Sequence, residues 1–107
     1  MERERTGQIA VIFTSRRTAA DDAGYAVAAA AMDRLAAEQP GYRGVASARG
    51  EDGVGITVSY WADEASALAW RANAEHATIR DLGRARWYDW YTVEVVTVDR
   101  AYDWRRG

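Results

Sequence analysis

Residues 42–61 read YRGVASARGEDGVGITVSYW, and the pattern of this stretch decides the fold. Tyr42 to Arg49 and Gly55 to Trp61 have strand character and flank Gly50-Glu51-Asp52-Gly53, so the two strands are expected to form a hairpin. In the second strand Ile56, Val58 and Tyr60 share one face, while Thr57, Ser59 and Trp61 take the other. The first strand is built from small residues, with Gly44, Ala46 and Ala48 on one side and Val45 and Ser47 on the other. Such a surface lets another one approach closely.

Upstream of the hairpin, Asp21 to Gln39 is rich in alanine, the residue that is easiest to place in a helix. Tyr25, Ala28, Met32 and Leu35 recur at spacings of three, four and three and form one apolar stripe. Thr18, three residues before Asp21, marks the N-cap. Gly24 weakens the helix locally, and Pro40-Gly41 ends it. Downstream, Asp63 caps a second helix. Its buried stripe is expected to be Ser66, Ala67, Trp70 and Ala74, because an indole goes where its large area can be covered. A break near Asn73 precedes a short helical stretch over 75–82, which Gly83 closes as a C-cap.

Two further strands lie at the ends of the chain. Ile9, Val11 and Phe13 alternate with Ala10, Ile12 and Thr14, giving apolar character on both faces. The segment 86–102 is long for one strand, and a bulge around Val96-Thr97 would return Val98 to the face of Val93 and Val95. The order is therefore β-α-β-β-α-β, a ferredoxin-like α+β fold with helices on one face of a four-stranded antiparallel sheet. The opposite face also carries bulky apolar side chains, which a lone chain would leave wet. A homodimer that pairs two such sheets into a dimeric α+β barrel is expected. The domain should occupy residues 8–102, with a flexible leader at 1–7 and a tail at 103–107.

Composition narrows the function. The chain has 107 residues, room for one domain. All fourteen basic residues are Arg, none is Lys, and there is no Cys, which removes disulfides, thiol chemistry and Cys-based metal sites. Five Trp and six Tyr stand against four Ile, three Leu and one Phe. A net charge of -2 with both signs interspersed offers no footprint for nucleic acid. No uncharged run reaches the ~20 apolar residues a membrane helix needs, and the charged start MERERTGQ is unlike a signal peptide. A cytoplasmic domain is expected. Paired carboxylates, a phosphate-binding Gly-rich loop, a Ser nucleophile elbow and a metal-spaced cluster are all missing from the sequence.

Gly41-Tyr42, the run from Gly55 to Trp61, Ala69-Trp70, Glu75-His76, Gly83-Arg84 and Arg86-Trp87-Tyr88 continuing to Tyr91 are the most specific features of the chain. Together they resemble the antibiotic biosynthesis monooxygenase superfamily over nearly the whole length, from Ile9 to about Tyr102. The resemblance implies a dimeric α+β barrel. It also implies a monooxygenase that acts on a small phenolic or hydroquinone compound and needs no metal or organic cofactor, the substrate anion passing an electron to oxygen. Candidate site residues are then His76, Trp70, Trp61, Tyr88 and Arg86, with Trp87 and Tyr91 beside them. Rings can stack on a flat substrate, and His or Arg can take a phenolic proton or steady the anion. The haem-degrading branch resembles the chain in fold and gives the alternative activity. Setting its Trp on Trp70 puts the iron-ligand position at Arg80, whose guanidinium has only donors. That branch also has an Asn on its first strand, and the single Asn here is Asn73. A dimer that binds small ligands without catalysis is the remaining alternative.

Each candidate also has a plainer role open to it. His76 can be structural, fixing the loop around Asn73. Trp70 can be simply core, and Trp87, Tyr88 and Trp90 can belong to a subunit interface. Arg84 and Arg86 can pair with Asp81 or Asp89.

Overall fold

A computed structural model describes residues 4–107, and the side chains of all of these except Ala74 and Glu75. Four strands, β1 (Ile9–Arg17), β2 (Tyr42–Arg49), β3 (Val54–Trp61) and β4 (Tyr88–Thr97), form one sheet in the order β2-β3-β1-β4. Every neighbouring pair is antiparallel. β1, apolar on both faces, is an inner strand, where a side chain on either face has neighbours to pack on. The hairpin closes as expected, with the Gly50 N–H donating to the Val54 carbonyl at 2.9 Å and Asp52 Oδ1 accepting from the Val54 N–H at 3.0 Å.

Three helices complete the ferredoxin-like α+β fold: α1 (Asp22–Ala37), α2 (Glu64–Ala72) and α3 (Ala74–Leu82). The break expected near Asn73 divides α2 from α3, which runs where the short helical stretch over 75–82 is expected. Asp63 caps α2, its Oδ1 accepting from the Ser66 N–H at 2.8 Å. That bond and the Ser66 hydroxyl hold the Asp63 carboxyl below its ordinary value. The N-cap of α1 is Asp21, not Thr18. Asp21 sits in the left-handed region at φ 53° and accepts from the Gly24 N–H at 3.1 Å. Gly24 lies against the Asp21 carboxylate, so a Cβ on it would push the capping side chain aside. Thr18 accepts from the Ala20 N–H and donates to the Arg86 carbonyl instead.

The sequence expectation fails in two further places, both near the start of β4. Gly83 does not close α3 in a left-handed cap; the chain passes directly into one wide π-turn, Gly83–Trp87. Close approach is what demands glycine, because a Cβ would stand 2.8 Å from the Tyr88 ring. The irregularity in β4 is also not at Val96-Thr97, where pairing with β1 runs regularly; it lies where Arg16 faces Trp90 and Arg17 faces Tyr88. The extra residue at Asp89 reverses the alternation there, so Tyr88 joins Tyr91 on the helix side of the sheet.

The packed core occupies the β3 half of the helix-facing surface. Trp61 is fully buried; Ile9, Ala36, Ala67 and Trp70 surround it, with Met32, Leu35 and Tyr42 packed against them. Ala67 and Trp70 belong to the stripe chosen for α2, and Leu68 of the rejected stripe is exposed. On the far side of the sheet Ile56, Trp90 and Val96 remain 48%, 43% and 41% exposed. Of the leader expected at 1–7, residues 1–3 lie outside the described residues. Beyond them the Gly7 N–H donates to the Val98 carbonyl at 2.9 Å, and the Arg5 guanidinium lies 3.9 Å over the Tyr60 ring. Among the described residues no helix is long and apolar enough to cross a membrane.

Candidate functional site

On the β4 half of the same surface the core does not fill the space. α1 lines this space with Tyr25, Ala28, Ala29, Met32, Asp33 and Ala36, and the short alanines among them leave a gap over the sheet. The result is a cavity of about 630 Å³ between sheet and helices, within the range of small-molecule sites. Val11, Phe13, Val93 and Val95 form its floor, and Trp70, His76, Ile79 and Arg80 one wall. Val95 is still 57% exposed, so the cavity opens along β4.

The break between α2 and α3 positions His76. Asn73 leaves the helix in an extended conformation, and its Oδ1 accepts from the His76 N–H at 3.2 Å, capping α3. The reversal lays the imidazole on the Trp70 indole, with centroids 4.4 Å apart and planes 28° from parallel. Trp70 stacks in turn on Trp61 at 5.8 Å. Nδ1 of His76 is 2.9 Å from the Trp70 carbonyl oxygen. A carbonyl only accepts, so Nδ1 carries the proton and Nε2 the lone pair. Burial pulls the His76 pKa below 6.5; the bond to the Trp70 carbonyl works against this, and the Arg80 and Arg71 charges add to it. His76 is therefore a neutral imidazole at neutral pH, with its basic nitrogen fixed as Nε2.

Trp87 and Tyr88 close the opposite end. The Trp87 carbonyl accepts from Arg17 Nη1 at 2.9 Å and from the Thr18 N–H at 2.8 Å, which anchors the π-turn to the end of β1. Tyr88 packs edge-on to Phe13 at 5.4 Å and to Tyr25 at 6.0 Å. Burial, and then the neighbouring Tyr25 hydroxyl, push the Tyr88 phenol above its ordinary 10.0. It is a hydrogen-bonding group that stays protonated. Arg84 Nε donates to the Tyr91 hydroxyl at the rim.

Of the residues expected at the site, the fold brings His76, Trp70 and Tyr88 to the cavity, along with Trp87 and Tyr91. Trp61 and Arg86 are placed elsewhere. Trp61 lies behind Trp70, wholly buried, with its indole N–H on Ser59 Oγ at 3.0 Å; it supports the wall without forming it. Arg86 turns outward, 61% exposed, and its carboxylate neighbour is Asp21 at 3.8 Å, neither Asp81 nor Asp89. Asp89 instead faces Arg16. Sequence reasoning missed Arg80 as a wall residue and the floor of Val11, Phe13, Val93 and Val95. Arg80 was legible in principle, since it follows His76 by four residues and so shares its helix face. Among the described residues no group of three or more His, Cys, Asp or Glu is arranged to hold a metal.

Comparison with known proteins bears on this geometry. Residues 8–82 match the model of a family described as antibiotic biosynthesis monooxygenase. The uncharacterized protein YqjZ of Bacillus subtilis (strain 168) is 47% identical over 91 residues, which cover 85% of this chain and 79% of that protein. SnoaB, a cofactor-independent oxygenase from Streptomyces nogalater, superimposes with a TM-score of 0.76 at 14% identity, over 90% of this chain and 97% of its own. A conserved protein from Methanosarcina mazei Go1 gives 0.78, at 9% identity, over 88% and 95% of the two chains. At such identities the two solved structures share the fold.

Proposed function

The chain belongs to the antibiotic biosynthesis monooxygenase family, and from that premise we propose that it is a cofactor-independent monooxygenase acting on a small phenol or hydroquinone. The observation that carries this reading is His76: a neutral imidazole with Nε2 as its basic nitrogen, on the wall of an apolar cavity of about 630 Å³. Nε2 takes the phenolic proton, and the resulting anion is electron-rich enough to pass an electron to O₂. One oxygen atom then enters the ring and the other leaves as water. A hydroquinone supplies all four electrons as it becomes a hydroxyquinone. Trp70, stacked between Trp61 and the His76 ring, backs the imidazole, and the protonated Tyr88 offers a donor to a developing oxyanion. Trp61 holds Trp70 in place, and Arg86 contributes charge outside the cavity.

The working unit of this reading is a cytoplasmic homodimer of the domain at 8–102, with the leader at 1–7 and the tail at 103–107 outside it. The exposed Ile56, Trp90 and Val96 on the uncovered sheet face support the pairing, since large apolar side chains left exposed on one face mark an interface. Sedimentation at micromolar concentration should give twice the chain mass. Oxygen uptake by metal-stripped protein against a panel of hydroquinones tests the activity. Uptake above the uncatalysed rate is expected, and His76→Ala should lower it by roughly 10²-fold. No uptake across the panel would favour a dimer that binds small ligands without turning them over.

A further inference from the structure

Among the described residues, the buried side-chain nitrogen or oxygen atoms lacking a hydrogen-bond partner come down to one, Nε of Arg80. Its neighbour Nη1 makes only a marginal contact, 3.5 Å from the Arg71 carbonyl. No carboxylate among the described residues lies within ion-pair distance of this guanidinium, whereas Arg16, Arg17 and Arg86 each have one. Arg80 is only partly buried, so its charge stays open to the cavity while its Nε–H bonds to nothing, and a charged group with no counter-ion favours an anionic ligand. Arg80 is also on the cavity wall, one helical turn beyond His76. Asp33 and Glu64 reach the same cavity from α1 and α2, and both are solvent-exposed and unpaired with it.

We propose that Arg80 is the anion-binding residue of this cavity and that its ligand is an aryl carboxylate, or an aryl compound with an equivalent oxyanion, seated where the guanidinium faces the cavity. This deepens the reading of the previous subsection, on which it rests, by naming the acidic group the substrate carries. A guanidinium presents paired N–H donors that fit two carboxylate oxygens. The remaining wall and floor, Trp70, Phe13 and the valines of β4, suit the ring that bears them. Residues four apart on a helix hold their Cβ atoms about 5–6 Å from each other. Arg80 and His76 can therefore address two oxygens of one aromatic molecule, the first holding the anion and the second taking the proton.

Calorimetric titration with 2-naphthoate and its methyl ester under anaerobic conditions tests this, because the pair has the same rings and differs in charge. At a pH above the imidazole range the acid should bind about tenfold to hundredfold more tightly than the ester, the worth of one charge-assisted pair. Arg80→Gln should bring that ratio close to one, and Arg80→Lys should keep part of it, since the charge remains without the paired donors. Arg71→Gln should leave it in place. Should Arg80→Gln fail to fold by circular dichroism, the wild-type ratio and Arg80→Lys decide. Equal affinity for acid and ester, no binding of the acid, a ratio that survives Arg80→Gln, or one that disappears with Arg71→Gln would each overturn the proposal. Binding without oxygen does not depend on turnover, so a failed oxygen-uptake screen leaves this result standing, and the reverse also holds.

Discussion

Replacing Trp70 with alanine should change stability and the titration of His76 together, because one indole serves both. Trp70 is 7% exposed and stacked between two rings, Trp61 at 5.8 Å and His76 at 4.4 Å. Truncating a buried aromatic to alanine costs about 3–5 kcal/mol. Each ring pair lost adds about 0.5–1.5 kcal/mol beyond area, so the upper part of that range applies. A domain of this size has about 5–15 kcal/mol in total, and the melting temperature should fall by roughly 12 °C or more. Removing the indole also lets water reach the imidazole. Burial is the largest cause of the depressed His76 pKa, so the value should rise toward 6.5. The Nδ1 bond to the backbone carbonyl at position 70 survives the substitution and pulls the same way. The assay is direct: the sequence holds one His, so a single imidazole resonance reports the pKa by NMR while thermal denaturation at fixed protein concentration reports stability. A loss below about 1 kcal/mol, or a His76 pKa unchanged in a folded variant, would refute the stacked-wall reasoning.

Stability should also depend on pH at both ends. The folded His76 pKa lies below 6.5, so between the two values the unfolded chain holds a proton that the folded one does not; stability is full above 6.5 and is lost as pH falls through that window. The Tyr88 pKa is raised, so its contribution is full below 10.0 and is lost as pH rises beyond it. Denaturant titrations across pH should show both limbs, with Tyr88→Phe removing the alkaline one. Gly24→Ala should destabilise by about 1 kcal/mol through loss of the Asp21 cap, although the same change inside an ordinary helix stabilises; a higher melting temperature would contradict the cap geometry.

Much of the fold was open to local reading. The hairpin at 50–53, the cap at Asp63, the break near Asn73, the stripe of α2 and the two-faced β1 depend on residues a few positions apart. Propensity, turn chemistry and period act over that range. Two errors at caps came from steric detail. Thr18 and Asp21 are both good capping types, and only the left-handed turn at Asp21, closed over Gly24, selects between them. Gly83 suits a C-cap by type, but a ring from the next element takes the space its missing Cβ leaves.

The site divides along the same line. That His76 and Trp70 belong together was legible, since both lie within one short helical region and carry the chemistry a flat substrate needs. That Trp61 stands behind the wall, that Arg86 faces solvent toward Asp21, and that Arg80 lines the cavity with its Nε unbonded are consequences of packing between elements distant in sequence. The extra residue of β4 makes the point most sharply. Placed opposite Arg16 and Arg17, it turns Tyr88 to the helix side, whereas at Val96-Thr97 it would have left Tyr88 on the other face with Trp90. The amino-acid sequence by itself determined the element order and the chemical types available, because those are properties of neighbouring residues. Only the tertiary structure decided which of them share a cavity, because register, burial and the gap between α1 and the sheet arise when the elements meet.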